Sequence, residues 1–219
     1  MISDTVMVPT GEAVLTGDLV VAGPVRSVVL LVRGSGSARS SAPNRTVATE
    51  LRKAALGTLL LDLLTEREER TDASKSTHRF DIPLLGQRLV AAIDWLDQQP
   101  DTAGVPVGLF AANTAAAAAL QAAAERPARV HAVVCRDGRP DLAGDALEQV
   151  RTPVLMITSD NEDLLGLNRQ TAERLSPPHK IHVVRGSTPL SAEPEAVHQV
   201  ATAAREWYVH PGADQPNAA

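Results

Sequence analysis

An asparagine occupies the centre of the most distinctive turn in this sequence. Positions 105–120 (VPVGLFAANTAAAAAL) predict an apolar strand, a sharp turn and an alanine-rich helix. Such a turn presents a nucleophile in the pattern G-x-S-x-G, with the serine at its centre. Here the central residue is Asn113, and Ala111 and Ala115 stand where glycines are usual. A carboxamide is a very poor nucleophile, so the pattern predicts the turn without its chemistry.

Two interpretations of Asn113 stay open. In the first, its side chain hydrogen-bonds a ligand or positions a water molecule. In the second, asparagine is present for its backbone. The central residue of such a turn has a positive φ, which asparagine tolerates better than most residues other than glycine.

A cation follows the first buried strand of the chain. Positions 27–32 (SVVLLV) predict that strand, and Arg33 comes directly after it, before the glycine-containing segment 34–36. Arg33 can bind a carboxylate or a phosphate beside the backbone amides of this segment. The alternative, which we favour slightly, is an internal ion pair with a carboxylate such as Asp160 or Glu162.

The histidines and the cysteine offer few candidates for a base or a nucleophile. Histidines stand at positions 78, 131, 179, 182, 198 and 210. All but His78 are interpreted as structural, because none of them follows the carboxyl end of a predicted strand. His78 lies in a polar excursion that can fold over the edge of the sheet. Cys135 ends a strand, but a single cysteine is commonly a small buried residue.

Four further charged residues are assigned structural roles. Asp137 and Asp141 could suggest a metal, but their spacing is not that of a ligand set, so solvated loop charges are expected. Arg79 and Asp81 are expected to shape the excursion loop, and contact of one of them with a ligand is the lesser alternative.

The composition is that of one globular domain. Of the 219 residues, 44% are hydrophobic and only 2% are aromatic, so Leu, Val, Ile and Ala must form the core. A net charge of −5 without a basic run argues against nucleic-acid binding. A single cysteine excludes an internal disulfide. The chain has no signal-peptide pattern and no long apolar span, so we expect a soluble cytoplasmic protein without a membrane partner.

Apolar strands alternate with helical patterns, which favours a mostly parallel sheet covered on both faces. The predicted strands are 6–8, 13–21, 27–32, 58–63, 107–111, 130–135, 153–158 and 181–184, the predicted helices are 44–55, 82–98, 114–125, 163–175 and 195–208, and the predicted loops are 64–79 and 137–147. The fold class is therefore α/β, with about eight strands. One domain is expected at 1–210, followed by a flexible tail at 211–219.

Five segments resemble those of the small bacterial α/β-hydrolases related to dienelactone hydrolase, over about residues 10–209. These segments are RGSGS at 33–37, RFDIPLL at 79–85, GLFAANT at 108–114, GRPDLAG at 138–144 and LNR at 167–169. The resemblance implies an α/β-hydrolase fold. It also implies a ligand crevice at the carboxyl ends of the strands, near Arg33, Asn113, Asp160 and Pro189.

The same resemblance identifies where this chain departs from the family. Asn113 replaces the nucleophilic serine, and Pro189 replaces the histidine of a Gly-x-Thr-His-Leu segment. Arg33 replaces the histidine of a His-Gly-Ser-Gly segment whose backbone helps to bind an oxyanion. The acid corresponds to one of Asp160, Glu162 and Asp163, with the first two closest to the family's position. Loss of nucleophile and base together implies loss of ester hydrolysis, because the residues of such a unit act together.

Three functions remain open for this sequence. The first, which we favour, is a non-hydrolytic protein that binds a small molecule or a protein partner at the degenerate site. The second is an enzyme with rearranged chemistry, such as a lyase, cyclase or isomerase. The third is a weak hydrolase that uses His78 and a water nucleophile. An open pocket favours a ligand, whereas a filled one favours a scaffold.

The expected contacts of the site follow from these hypotheses. The residues expected to contact a ligand are Arg33, Gly34, Ser35, His78, Asn113 and Thr114. No covalent acyl-enzyme, organic cofactor or metal is expected, and a homodimer is left open.

Overall fold

The computed structural model describes residues 2–186, 189–190 and 193–213. Its strands are β1 (Ile2–Thr10), β2 (Ala13–Val21), β3 (Val28–Arg33), β4 (Gly57–Leu61), β5 (Val107–Ala112), β6 (Val130–Arg136), β7 (Val154–Ser159) and β8 (His179–Val184). They form one sheet in the order β1-β2-β4-β3-β5-β6-β7-β8. Strands β3 to β8 are parallel, and β2 pairs antiparallel with both β1 and β4. The predicted fold class is confirmed.

Helices cover both faces of this sheet. They are α1 (Ala42–Arg52), α2 (Glu66–Lys75), α3 (Ile82–Asp97), α4 (Ala115–Glu125), α5 (Glu162–Arg174) and α6 (Pro194–Val209). The buried residues of α3 and α4 join the core on one face, and those of α1 and α6 join the core on the other. Within the described part of the chain, no helix is both long enough and apolar enough to cross a membrane.

The burial of each strand follows from its place in the sheet. Every residue of β4, β5 and β7 is buried, because helices cover both faces of the parallel strands. Next to the edge strand β1, β2 instead alternates between buried and partly exposed residues. The hairpin that joins it to β1 turns at Gly11, whose φ of 75° suits a glycine. The strands predicted at 6–8 and 13–21 therefore pair with each other as a hairpin.

The prediction of a loop at positions 64–79 is wrong, because this segment contains α2. The helix has the sequence EREERTDASK, which carries no apolar stripe, so hydrophobic periodicity cannot reveal it. A capping box was the available signal. The Thr65 hydroxyl accepts from the Glu68 amide, and the Glu68 carboxylate accepts from the Thr65 amide. The predicted loop at 137–147 likewise contains 3-10 turns, over Pro140–Gln149.

The predicted tail begins with an ordered turn. The Ala213 amide donates to the carbonyl of His210, just beyond the end of α6. The remainder of that tail, positions 214–219, lies outside the described residues.

Candidate functional site

Asn113 stands at the tip of the turn between β5 and α4. Its φ is 58°, in the left-handed region, and the residue is exposed. Its backbone carbonyl oxygen accepts hydrogen bonds from the backbone amides of Ala116 (3.2 Å) and Arg139 (3.1 Å). The turn therefore has the backbone geometry of a nucleophile elbow, and the side chain at its tip is a carboxamide.

Small residues surround the elbow because other backbone segments approach it closely. A Cβ atom on Gly34 would lie 1.9 Å from the Thr114 Oγ1 and 3.1 Å from the Ala115 nitrogen. A Cβ atom on Gly138 would lie 2.5 Å from the Cβ of Ala116. Thr114 is only 7% exposed, so its hydroxyl lies against the loop after β3 rather than open to solvent. Any larger residue at Gly34 would push that loop away from the elbow.

Asp62, which follows β4, holds the loop after β3 in place. Its carboxylate accepts from the Ser37 hydroxyl (2.9 Å) and from the amides of Ala38 (2.6 Å) and Arg39 (3.2 Å). Ser35 lies in the same loop and is partly buried. The sequence analysis missed Asp62. Its signal was a carboxylate placed directly after a buried apolar strand.

Asp160 reaches the loop that carries Pro189. It comes directly after β7, and its Oδ2 accepts a hydrogen bond from the Gly186 amide at 3.3 Å. Glu162 and Asp163 instead lie exposed in the first turn of α5. Of the three carboxylates considered for the acid position, Asp160 is the one that the described hydrogen bonds connect to this loop.

Asp137, which directly follows β6, forms a hydrogen bond to the same loop. Its Oδ2 accepts from the Leu190 amide at 2.7 Å, and its Oδ1 accepts from the Ser159 amide at 3.3 Å. Burial raises the pKa of the Asp137 carboxyl group. Asp141 pairs with Arg139 through two contacts of 2.9 and 2.7 Å. The prediction that both aspartates are solvated loop charges is therefore wrong, since both organise loops around the elbow.

Arg33 ends β3 and is partly buried. The prediction that Arg33 forms an ion pair with Asp160 or Glu162 is wrong. No ion pair joins Arg33 to either carboxylate in the described structure, and the Arg33 Nε is buried without a hydrogen-bond partner. Arg33 therefore stays a cation at the carboxyl edge of the sheet, next to the elbow.

A second arginine, which the sequence analysis missed, lies at the same edge. Arg136 ends β6, is 4% exposed, and has its guanidinium carbon 5.7 Å from the centre of the Phe110 ring. Burial lowers the pKa of Arg136 to about 10, because it outweighs the charge of Asp137, which raises the pKa, while the charge of Arg33 acts in the same direction as burial. The signal was an arginine at the end of an apolar strand, VHAVVCR.

His78 is engaged within the excursion. Its amide donates to the Asp72 Oδ1 at 2.6 Å, and its Nδ1 lies 3.9 Å from the same oxygen. Arg79 also pairs with Asp72, and Asp81 caps α3 by accepting from the Leu84 amide at 3.1 Å. Arg79 and Asp81 therefore shape the excursion as predicted. The described hydrogen bonds and ion pairs include none between His78 and the elbow.

Cys135 is a small core residue, as expected. It is 1% exposed, and burial raises the pKa of its thiol to about 12. The thiol is therefore protonated at neutral pH, and a protonated thiol is a weak nucleophile. Burial also lowers the pKa of His131 in the same strand, which favours the neutral imidazole.

Two cavities of the described structure lie away from the elbow. One, of about 320 Å³, lies between β8 and α6 and is lined by residues that include Lys180, His182 and Trp207. The other, of about 480 Å³, lies beside the β1–β2 hairpin and α1. Neither is lined by Arg33, Asn113, Asp160 or Pro189.

The sheet, its helices and the elbow together define the α/β-hydrolase fold. The structure superimposes on a crystal structure of dienelactone hydrolase from Anabaena variabilis with a TM-score of 0.91 and 44% identity, covering 95% of this chain and 97% of that one. This chain belongs to the dienelactone-hydrolase-like family. A dienelactone hydrolase-like promiscuous phosphotriesterase, P91, from metagenomic libraries has the same fold, with a TM-score of 0.76 at 16% identity and coverage of 95% and 97% of the two chains.

A longer relative also contains this sequence pattern. A protein of Mycobacterium tuberculosis with the provisional name phosphoribosyl transferase is 44% identical over 207 residues, which are 94% of this chain. The chain spans about half of the length of this relative, 46%. No model of an established protein family matches the chain.

Proposed function

We propose that this chain is a non-hydrolytic member of the dienelactone-hydrolase-like family that binds a small molecule or a protein partner at its degenerate active site. The observation that carries the proposal is Asn113, at the tip of an elbow whose φ is 58°. The position that would supply an alkoxide carries a carboxamide, and Pro189 stands where the family's histidine is expected. An acyl-enzyme therefore has no nucleophile there, and a water molecule has no base.

Rearranged catalysis at the same place has less support. A lyase, cyclase or isomerase needs a general base within hydrogen-bond reach of its substrate. The His78 imidazole lies 3.9 Å from the Asp72 carboxylate and makes no described contact with the elbow, and Cys135 is buried with a raised pKa. Both carboxylate oxygens of Asp137 accept from backbone amides. The features that remain are the exposed Asn113 carboxamide, the Asp160 carboxylate that accepts from the Gly186 amide, and Arg33, which forms no ion pair among the described residues. Hydrogen-bonding and charged groups of this kind suit binding better than proton transfer.

The names of the relatives do not settle the reaction of this chain. The Anabaena protein is called a hydrolase, whereas the proposal rests on residues 113 and 189 of this chain. The match covers less than half of the M. tuberculosis protein, so its name assigns no phosphoribosyl transfer to this chain.

Turnover of small aryl esters and of a dienelactone tests the proposal. The parent is compared with Asn113→Ser, Pro189→His and the double variant. We expect the parent and both single variants to stay at the rate of buffer. The double variant should exceed them by roughly 10²-fold, because nucleophile and base act as a unit.

A matched control is Asn113→Ser combined with Pro189→Ala, which removes the proline without adding a base. Its ester turnover should remain at the buffer rate, as for the single variants. Ester hydrolysis by the parent that persists through repurification and exceeds the buffer rate would overturn the proposal.

A further inference from the structure

Two arginines flank the elbow strand at the carboxyl edge of the sheet. Arg33 of β3 and Arg136 of β6 are both register partners of Ala112, the last residue of β5. Register partners of parallel strands project to the same face, and strands two places apart lie roughly 10 Å from each other. Two residues earlier, Leu31 and Val134 belong to the core under α1 and α6. Both guanidinium groups therefore lie on the α1–α6 side of the sheet.

Among the described residues, no carboxylate forms an ion pair within 4 Å of either arginine, and the nearest charge to Arg136 is that of Asp137. Arg136 is 4% exposed, and its Nε and Nη1 are buried without a hydrogen-bond partner, as is the Nε of Arg33. Asp137 follows Arg136 directly, but its two carboxylate oxygens accept from the amides of Ser159 and Leu190. One carboxylate that already accepts two backbone hydrogen bonds compensates two neighbouring guanidinium groups only in part, so this pair can accommodate a further anion.

Two further buried side chains, at the start of α1 and at the end of β7, carry unpaired polar atoms. Asn44, in the first turn of α1, is 0% exposed, and neither its Nδ2 nor its Oδ1 has a hydrogen-bond partner. It lies one turn before Val47 and Ala48, which belong to the core beneath α1. Ser159 ends β7 with a fully buried Oγ that is also unpaired. Buried polar atoms are normally hydrogen-bonded, so these unpaired atoms can bind a polar ligand.

We infer that Arg33, Asn44 and Arg136 form a binding site for the phosphate group of a small phosphomonoester. Two guanidinium groups from strands on either side of β5, with the Asn44 amide and the Ser159 hydroxyl, offer donors from several directions. That arrangement suits a tetrahedral dianion better than a planar carboxylate. The partly exposed Arg33 is the entrance, and Arg136 is the buried end. This inference rests on the proposed function, because it assigns the ligand class of the same degenerate site.

Titration of the parent with inorganic phosphate tests the site. Binding is measured by calorimetry and by the rise in Tm, against sodium chloride at matched ionic strength. We expect saturable binding by the parent and at least a tenfold loss of affinity in Arg33→Met and in Arg136→Met. Arg26→Met is the matched control, because Arg26 is exposed just before the amino end of β3 and should leave binding unchanged.

The Arg136 variant separates loss of binding from loss of folding. Without phosphate, Arg136→Met should be at least as stable as the parent, because it removes a buried charge that is desolvated and forms no ion pair within 4 Å among the described residues. Phosphate should then raise the Tm of the parent and not that of the variant. A parent that phosphate stabilises no more than the matched salt, or an Arg136→Met variant that binds as the parent does, would overturn the site.

Two ligand arms identify the chemistry. Phenyl phosphate should bind at least as tightly as inorganic phosphate, and benzoate at least tenfold more weakly. Preference for benzoate would overturn the phosphate assignment. Ester turnover is measured on the same preparations. Hydrolysis by the parent would overturn the proposed function, while the phosphate titration still judges the anion site by itself.

Discussion

At the scale of single residues, Asn113 keeps the backbone conformation of the elbow but supplies no nucleophile. Its φ of 58° lies in a region that few residues other than glycine adopt, and the backbone amides of Ala116 and Arg139 donate to its backbone carbonyl oxygen. Asparagine is one of the residues that tolerate this conformation. Its presence therefore keeps the turn, whatever the side chain binds.

Substitution of Asn113 tests this conformational role. Asn113→Ala should lower the free energy of unfolding by about 1 kcal/mol, because alanine is strained at positive φ. Asn113→Gly should stay within about 0.5 kcal/mol of the parent, because glycine adopts that region freely. Urea denaturation measures both values. Equal stability of the alanine and glycine variants would show that the strain is not a factor at this position.

Cys135 gives a pH-dependent prediction at the same scale. Burial raises the pKa of its thiol to about 12, so at pH 8 only about one molecule in 10⁴ carries the reactive thiolate. Reaction with a disulfide reagent at pH 8 should therefore be very slow in the native protein and rapid in urea. Labelling of the native protein at the rate of a free thiol would contradict the buried placement.

At the scale of elements, one ion pair fixes the α2 excursion to the sheet. The Arg88 guanidinium donates to both Glu68 carboxylate oxygens, at 2.9 and 2.7 Å, and to the carbonyl of Leu63 at 2.7 Å. Arg88 is 5% exposed and lies on α3. The contact thus joins α2, α3 and the end of β4, and it places the excursion over one side of the domain.

The pH dependence of stability reports on this ion pair. Hydrogen bonds from Arg88 lower the pKa of Glu68 from 4.5 to about 2. A lowered folded-state pKa contributes stability above the unfolded value of 4.5 and loses it as the pH falls towards 2, by up to about 3 kcal/mol. Glu68→Gln should flatten the curve of unfolding free energy against pH in that window. An unchanged slope would contradict the strength of the pair.

The same excursion shows where sequence patterns fail. α2 carries no apolar stripe because its burial is slight, and in that helix Asp72 is the residue that is buried. Its stability comes from the capping box of Thr65 and Glu68 and from ion pairs, which periodicity does not register. The strands were predictable because helices bury both of their faces, so each reads as a short apolar run.

At the scale of the whole molecule, the sequence predicts the architecture better than the site. The sheet of eight strands follows from the alternation of apolar and helical segments, and the elbow follows from residues 107–120. The tertiary partners do not follow from local patterns. Arg136 and Asp137 are neighbours in sequence, yet the structure leaves one unpaired and ties the other to a loop 53 residues away. Long-range contacts of this kind require the fold itself.

One measurement tests the loss of the nucleophile most directly. The parent and the Asn113→Ser, Pro189→His double variant are treated with a fluorophosphonate, and their intact masses are recorded. The account predicts no adduct on the parent and a single adduct on the double variant, which peptide mapping places at position 113. A stoichiometric adduct on the parent would contradict the account, because it would reveal an activated nucleophile elsewhere in the site.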